Sequence, residues 1–172
     1  MFSEVRSWAR YPASRSILVP LHSGDETLPF ERPEFRDRPI SFLAHGMGRS
    51  LGDSCLNDGN ALLMTRGLDR ILSFDEVSGR LTAEAGVTFD EILRLAIPRG
   101  WFLPVTPGTR FVTIGGAVAN DVHGKNHHVA GTFGSHVVRF ALRRSDGTRL
   151  ICSEEENPDW LRATVGGLGL TD

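Results

Sequence analysis

The chain has 172 residues, of which 40% are hydrophobic and 23% charged, a composition typical of a globular protein with a buried core. Its 19 basic and 21 acidic residues give a net charge of −2 and the arginines are scattered, so nothing in the charge pattern indicates nucleic-acid binding. No stretch approaches the roughly 20 apolar residues of a membrane-spanning helix.

The N-terminus indicates a cytoplasmic protein. It includes Glu4 and Arg6 and lacks the apolar run of a secretory signal. Cys55 and Cys152 are too few for a disulfide framework and form no CxxC pair, so we expect both to be reduced packing residues.

Residues 1–39 are predicted to be an irregular segment, because prolines interrupt every periodic run and only residues 17–19 read as a strand. From residue 40 the pattern changes. The apolar run ISFLAHG predicts a buried strand that leads directly into the glycine-rich GMGRSLGD. Further strands are predicted over residues 61–64, 70–75 and 80–87.

The clearest helix covers residues 88–97. Thr88 and Glu91 have capping-box spacing and an apolar face recurs with helical period, while Pro98 and Gly100 end the helix. A second, tightly packed helix is predicted to open at Thr113 in the small-residue run VTIGGAVAND.

The C-terminal third is predicted to contain a hairpin and a helix. VVRFALRR and TRLICS flank a turn with Gly147, and ENPDWLRATVGG supplies Asn157 as N-cap, Pro158 at the first helical position and Gly166 as a stop. Because strands and helices mix without regular alternation, the fold class is α+β.

The first candidate ligand-binding loop follows the strand at residue 40. Gly46, Gly48 and Gly52 surround Arg49 and Ser50, and successive amides in such a loop can form an anion-binding nest suited to a pyrophosphate. The loop has neither P-loop nor Rossmann spacing. Structural turn chemistry is the alternative interpretation.

A second glycine cluster lies within residues 107–121. Gly115 and Gly116 near a helix start would leave amides open toward a phosphate or ribose, with Thr109 and Thr113 supplying hydroxyls. Close packing of that helix against a sheet is the alternative. Two such loops favour an extended dinucleotide lying between them.

The stretch HGKNHH, residues 123–128, contains three histidines and the only lysine of the chain, Lys125. A metal site is disfavoured, because the glutamate of an HExxH motif is absent and a neighbouring cation opposes metal binding. An exposed polar loop is one alternative. We favour a loop that donates hydrogen bonds to an anionic or electron-rich ligand.

Three segments together resemble a known family: HGMGRSLGDSCLNDG, PGTRFVTIGGAVANDVHGKNHHVAGTFG and TVGGLGLT. In this order and spacing they resemble the FAD-binding half of the vanillyl-alcohol-oxidase (PCMH-type) flavoproteins, in the branch of decaprenylphosphoryl-β-D-ribose 2-oxidase-like FAD-linked oxidoreductases. The resemblance implies that residues 40–172 form a PCMH-type domain of two α/β subdomains that grip FAD. It also implies that the C-terminal substrate domain is absent from this chain.

The resemblance implies three groups of cofactor-binding residues. The pyrophosphate loop would comprise Ala44, His45, Gly46, Met47, Gly48, Arg49, Ser50, Leu51, Gly52, Asp53 and Ser54. The adenosine-to-flavin path would be lined by Gly108, Thr109, Thr113, Gly115, Gly116, Ala119, Asn120, Val122 and His123. Leu168 and Gly169 would form a later turn near the cofactor. His123 and Lys125 would lie at the flavin end as the catalytic candidates.

Three departures from the family pattern matter. Arg49 stands where covalent relatives carry the histidine that bonds the flavin, so FAD is expected to bind non-covalently. Leu51 replaces the tyrosine of GRSYGD, which leaves the substrate preference open. Asp172 replaces the glycine that continues GGLGLTG, and the chain stops there, so we expect a product truncated at its C-terminal end.

The expected function is that of the FAD-binding region of an oxidoreductase acting on CH–OH groups. The substrate would be a sugar or polyol, free or lipid-linked, with hydride passing to flavin N5 and the base supplied by the substrate domain. Lys125 and His123 would orient the substrate or stabilise charge on the flavin. The rival hypotheses are a non-catalytic FAD- or nucleotide-binding fragment and a zinc-dependent hydrolase.

Overall fold

In the computed structural model, residues 1–24, 26–36 and 39–171 are described. Four strands form a mixed sheet: β1 (Phe2–Arg6), β2 (Ala13–Pro20), β3 (Phe42–His45) and β4 (Ala61–Met64), in the spatial order β1-β2-β4-β3. β1 and β2 are antiparallel, whereas β4 pairs in parallel with both β2 and β3. β4 is an inner strand, and its Ala61 and Leu62 are fully buried. β3 is an edge strand, and the glycine-rich loop follows it.

The prediction of an irregular segment over residues 1–39 is wrong for its first half, which forms β1 and β2. Pro20 is the last residue of β2, so it does not interrupt the strand pairing. The buried positions of β2 include Ser14 and Ser16, whose hydroxyl oxygens lie 3.1 Å apart. Because buried serines replace apolar residues, the usual alternation of a half-buried strand is not visible in the sequence. A short helix, α1 (Pro33–Arg36), also falls in this segment. The domain boundary at residue 40 remains a prediction.

The middle of the chain forms an antiparallel pair, β5 (Ile71–Asp75) and β6 (Arg80–Ala83), followed by α2 (Phe89–Ala96). The predicted capping box is confirmed, since the Thr88 amide donates to the Glu91 carboxylate at 2.7 Å and the Glu91 amide donates to the Thr88 hydroxyl at 3.3 Å. A 3₁₀ turn and Gly100, with a φ of 79°, end the helix as predicted. β6 is shorter than residues 80–87, because the Gly86 amide turns away and donates to the carbonyl of Leu68.

The main hydrophobic core lies where α2 meets α3 (Ile114–Ala119), the predicted second helix, which begins after Thr113. Val87, Phe89, Ile92 and Ala117 are buried there, with partly buried side chains from β5 and β6 packed around them. α3, which belongs to the second glycine cluster, is therefore held by the core.

The last part of the chain contains α4 (His127–Ala130), β7 (Arg139–Arg143), β8 (Arg149–Ser153) and α5 (Pro158–Thr164). The predicted hairpin is confirmed, with β7 and β8 antiparallel and Gly147 at a φ of 83°. Asn157 precedes α5 as predicted, but its side chain does not cap the helix; it donates to the carbonyl of Ile151 at 2.8 Å. Leu142, Cys152 and Leu161 form a second, smaller core.

The α+β class is confirmed. Within the described ranges, no helix has the length and apolar character needed to cross a membrane. Asp172, the departure from the family pattern at the end of the chain, lies outside the described residues.

Candidate functional site

The predicted loop of residues 44–54 begins with the last two residues of β3. It turns at Gly48, which has a φ of 59° that favours glycine. A Cβ atom at Gly48 would stand 3.2 Å from Nε2 of His45 and 3.6 Å from the carbonyl oxygen of Arg6. His45 itself is buried, with Nδ1 2.8 Å from the carbonyl oxygen of Cys55. None of the amides of residues 47–51 donates a hydrogen bond to another described residue, so this loop can offer several donors to an anion.

Arg49 is half-buried in this loop. Its Nε is buried and has no hydrogen-bond partner among the described residues. The guanidinium carbon lies 5.0 Å from the centre of the Trp8 ring. Trp8 also donates its amide to the carbonyl of Ser50 at 3.0 Å. The sequence reasoning missed this contribution of the N-terminal hairpin, because no local motif links residue 8 to residue 49.

The structure brings the two glycine clusters into direct contact. Thr113 is buried and its side chain occupies the space that a Cβ atom on Gly46 would take. The Thr113 hydroxyl also accepts a hydrogen bond from the Gly116 amide at 3.2 Å, which caps α3. A glycine at position 46 is therefore what allows the first loop to lie against the start of α3.

The prediction that Gly115 and Gly116 leave their amides open is wrong. The Gly115 amide donates to the carbonyl of Ala85 at 2.8 Å, and the Gly116 amide is used by the cap. A Cβ atom at Gly115 would stand 3.1 Å from the Cβ of Ala85. Close packing, the alternative interpretation, accounts for Gly115. Contact of these residues with a cofactor stays a prediction.

The third motif also meets α3. The amide of Gly166 donates to the carbonyl of Val118 at 3.0 Å, and that of Leu168 donates to the carbonyl of Ala119 at 2.8 Å. Leu168 has a φ of 57° and is exposed, with Gly169 after it at 75°. The turn predicted from TVGGLGLT thus lies at the carboxyl end of α3, beside the exposed Asn120.

The HGKNHH stretch leads from α3 into α4. His123 and Thr132 form an isolated antiparallel β-bridge, and the carbonyl of Val122 accepts a hydrogen bond from the Phe133 amide at 2.8 Å. The rings of His123 and His127 meet edge to face with centres 5.3 Å apart. His123 and Lys125 are exposed, and no ion pair joins Lys125 to another described residue. In the part of the chain that the structure describes, no group of three His, Cys, Asp or Glu side chains could hold a metal ion.

The remaining predicted residues of the two glycine clusters differ in their exposure. Leu51 is 74% exposed, and the Thr109 hydroxyl accepts from the Phe111 amide at 3.2 Å. A Cβ atom at Gly52 or Gly108 would meet no atom within 4 Å. Ala44 and Met47 are half-buried, while Asp53 and Ser54 are exposed.

The free hydrogen-bond donors of the first loop suit an extended anionic dinucleotide. The open amides of residues 47–51 and the unpaired Arg49 guanidinium suit a diphosphate, which needs several N–H donors and positive charge. The start of α3 contacts this loop, and the turn at Leu168 contacts the end of α3. The three segments therefore form one continuous surface for the ligand.

A glycine-rich loop packed on a capped helix, within an α+β frame, is an arrangement suited to binding a nucleotide cofactor. Residues 34–153 match the FAD binding domain family, and this is more than half of the chain, so the chain belongs to that family. Its cofactor is FAD, and the PCMH-type resemblance is confirmed.

Three relatives are named as oxidases or dehydrogenases. Over 130 residues, 75% of this chain, it is 44% identical to the decaprenylphosphoryl-beta-D-ribose oxidase of Mycolicibacterium smegmatis, of which it covers 28%. It is 31% identical to the L-gulonolactone oxidase of Mus musculus over 72% of this chain and 28% of that relative. It is 30% identical to the D-2-hydroxyglutarate dehydrogenase of Escherichia coli over 74% of this chain and 12% of that relative. The chain thus matches little more than a quarter of these proteins at most.

Proposed function

We propose that this chain is the FAD-binding region of an oxidoreductase that oxidises a hydroxyl group of a sugar or polyol, free or lipid-linked, by hydride transfer to flavin N5. The observation that carries the proposal is the contact of Gly46 with Thr113, which joins two separate glycine motifs into one surface. Two relatives named for a ribose derivative and a sugar lactone support the substrate class.

In this proposal the loop of residues 47–51 binds the diphosphate with its open amides, and Arg49 neutralises part of the charge. Binding is non-covalent, because a guanidinium at position 49 is not a nucleophile toward a flavin. When bound, FAD supplies the hydride acceptor. The turn at Leu168 and the exposed end of α3 hold the remainder of the dinucleotide in place.

Lys125 and His123 would act where substrate approaches. Both side chains are exposed and Lys125 has no carboxylate partner among the described residues, so its charge is free to interact with a ligand. Lys125 can donate hydrogen bonds to a sugar hydroxyl and can stabilise negative charge that develops during hydride transfer. His123 can hold the reacting hydroxyl in position. In this proposal Lys125 and His123 orient the substrate, and a separate base takes its proton.

The test begins with flavin binding. The purified chain, freed of flavin and titrated with FAD, is expected to quench the fluorescence of FAD with a one-to-one endpoint. If FAD does not bind, the assignment of this surface as the FAD site is wrong. Anaerobic incubation of the FAD complex with aldoses, sugar lactones and polyols then separates the hypotheses. Bleaching of the flavin absorbance by one of them supports the oxidoreductase. Because neither Lys125 nor His123 is the base in this proposal, the same incubation is repeated on a longer product that includes the base, and FAD binding with no bleaching in either protein supports a non-catalytic domain.

A further inference from the structure

The tip of the β1–β2 hairpin lies against the glycine-rich loop at two points. The Trp8 amide donates to the carbonyl of Ser50 at 3.0 Å, and the Trp8 ring lies 5.0 Å from the guanidinium carbon of Arg49. Trp8 is 57% exposed and belongs to neither hydrophobic core of the described residues. Both of these contacts of Trp8 are therefore with the loop.

Arg49 differs from the other half-buried arginines in having no acidic partner. Five arginines of the described ranges are half-buried, and four of them pair with a carboxylate: Arg32, Arg66, Arg143 and Arg144. Arg49 forms no ion pair with a described residue and its Nε is buried without a hydrogen-bond partner. A half-buried cation without a counter-charge is unfavourable unless an anion binds there.

We infer that Trp8 is a positioning residue for FAD binding, which holds the Arg49 guanidinium in position to bind the FAD diphosphate. A guanidinium stacked on an indole face is attracted to it and keeps its in-plane N–H donors available. The stack reduces the rotamer freedom that Arg49 loses when the anion binds. This inference rests on the proposed function, in which the loop of residues 47–51 binds that diphosphate.

The experiment measures the FAD dissociation constant of the whole chain for Trp8→Leu, Trp8→Phe, Arg49→Gln and the double variant Trp8→Leu/Arg49→Gln. Losing a partly exposed stack is expected to weaken FAD binding about tenfold in Trp8→Leu, and Trp8→Phe is expected to restore most of the affinity. In the Arg49→Gln background Trp8→Leu is expected to have no further effect, since Trp8 acts through Arg49.

Trp160 offers a matched control, because its ring stacks with Arg144 at 4.4 Å outside the proposed site. Trp160→Leu, which makes the same change as Trp8→Leu, is expected to leave the FAD dissociation constant unchanged. Thermal unfolding of each variant shows that it is folded. Replacing Trp8 by a multiply ring-fluorinated tryptophan changes its shape little but strongly weakens the negative potential of the ring face, and this variant tests the stack even if Trp8→Leu does not fold.

Unchanged FAD affinity in both Trp8→Leu and the fluorinated protein overturns the inference while leaving the proposed function intact. Independent, additive losses from Trp8→Leu and Arg49→Gln also overturn it, because they show that Trp8 does not act through Arg49. A wild-type chain that fails to bind FAD overturns the proposed function, and the inference with it.

Discussion

The side chain of Thr113 fills the space that a Cβ atom on Gly46 would require. Thr113 is buried, caps α3 and cannot move aside without losing its hydrogen bond with the Gly116 amide. This single contact sets the distance between the β3 loop and α3, and the proposed FAD surface depends on it.

Gly46→Ala is therefore expected to destabilise the chain by about 1–3 kcal/mol, the typical effect of overpacking a well-packed site. It is also expected to weaken FAD binding, since the loop must shift away from α3. Urea denaturation and FAD titration measure the two effects. Gly52→Ala is the matched control, because a Cβ atom there meets no atom within 4 Å and it should change the free energy of unfolding little. Equal stability of the two variants would contradict the role of the Gly46 contact.

Asp121 connects the end of α3 to the segment before β7. Its backbone has a φ of 40°, and Oδ1 accepts a hydrogen bond from the Gly134 amide at 2.8 Å. Asp121→Ala is expected to lower the free energy of unfolding by about 1–3 kcal/mol, because a part-buried amide loses its acceptor and alanine tolerates this φ poorly. Asp121→Asn keeps an oxygen acceptor and tolerates the same φ. It should retain most of the stability in a denaturation experiment, and a loss as large as that of Asp121→Ala would indicate a requirement for the charge instead.

The stability of the chain should depend on the ionisation of Glu91. Burial acts to raise the pKa of Glu91, but hydrogen bonds from Thr88 and Arg66 and the Arg66 charge outweigh it and hold the pKa below its ordinary value. Because the folded-state pKa is below that of the unfolded chain, the stabilisation is complete above the unfolded value, about 4.3. It is lost as the pH falls through the folded-state value.

Glu91→Gln should therefore flatten the stability profile in this acidic range, since glutamine keeps the capping geometry but does not ionise. Arg66→Gln should flatten the same range in part, because it removes one of the partners that lower the pKa. Denaturation midpoints measured between pH 3 and pH 7 provide the comparison. Profiles parallel to the wild type in both variants would show that this carboxylate is not linked to folding.

Lys125 should affect the reactivity of bound flavin and not the stability of the chain. The side chain is exposed and has no ion-pair partner among the described residues, so Lys125→Met should change the free energy of unfolding by less than about 0.5 kcal/mol. If Lys125 lies near the flavin, loss of its charge should lower the flavin reduction potential by roughly 30 mV, or about 1.4 kcal/mol for a two-electron couple. Lys125→Arg should retain the potential. His128→Ala, at an exposed neighbouring position, is the control. Equal reduction potentials in all variants would show that HGKNHH is a surface loop that does not act on the flavin.

Much of the local structure follows from short-range rules. The capping box of Thr88 and Glu91, the turn at Gly147 and the start of α3 after Thr113 each depend on residues close in sequence, so the pattern predicts them. The FAD-binding motifs were also recognisable from their order and spacing, and the family match over residues 34–153 agrees. These features need no knowledge of distant contacts.

The pattern predicts only residues 17–19 of β2 and none of β1, because both strands are stabilised by pairing and by buried serines, which leave no hydrophobic period. The sequence favours a ligand for the amides of Gly115 and Gly116, but Ala85 and Thr113 accept their hydrogen bonds. The Thr113 cap on the Gly116 amide is a local contact, whereas Ala85 is distant in the chain and no local pattern indicates that it accepts from Gly115.

By itself, the sequence indicates two glycine loops suited to an extended dinucleotide, because glycine spacing and polar side chains are local chemical requirements, and its resemblance to a known family implies that the dinucleotide is FAD. Only the tertiary structure decided that Gly46 meets Thr113, that Leu168 meets Ala119 and that Trp8 stacks on Arg49. These contacts join residues distant in the chain, and whether such pairs meet depends on how all the elements pack together.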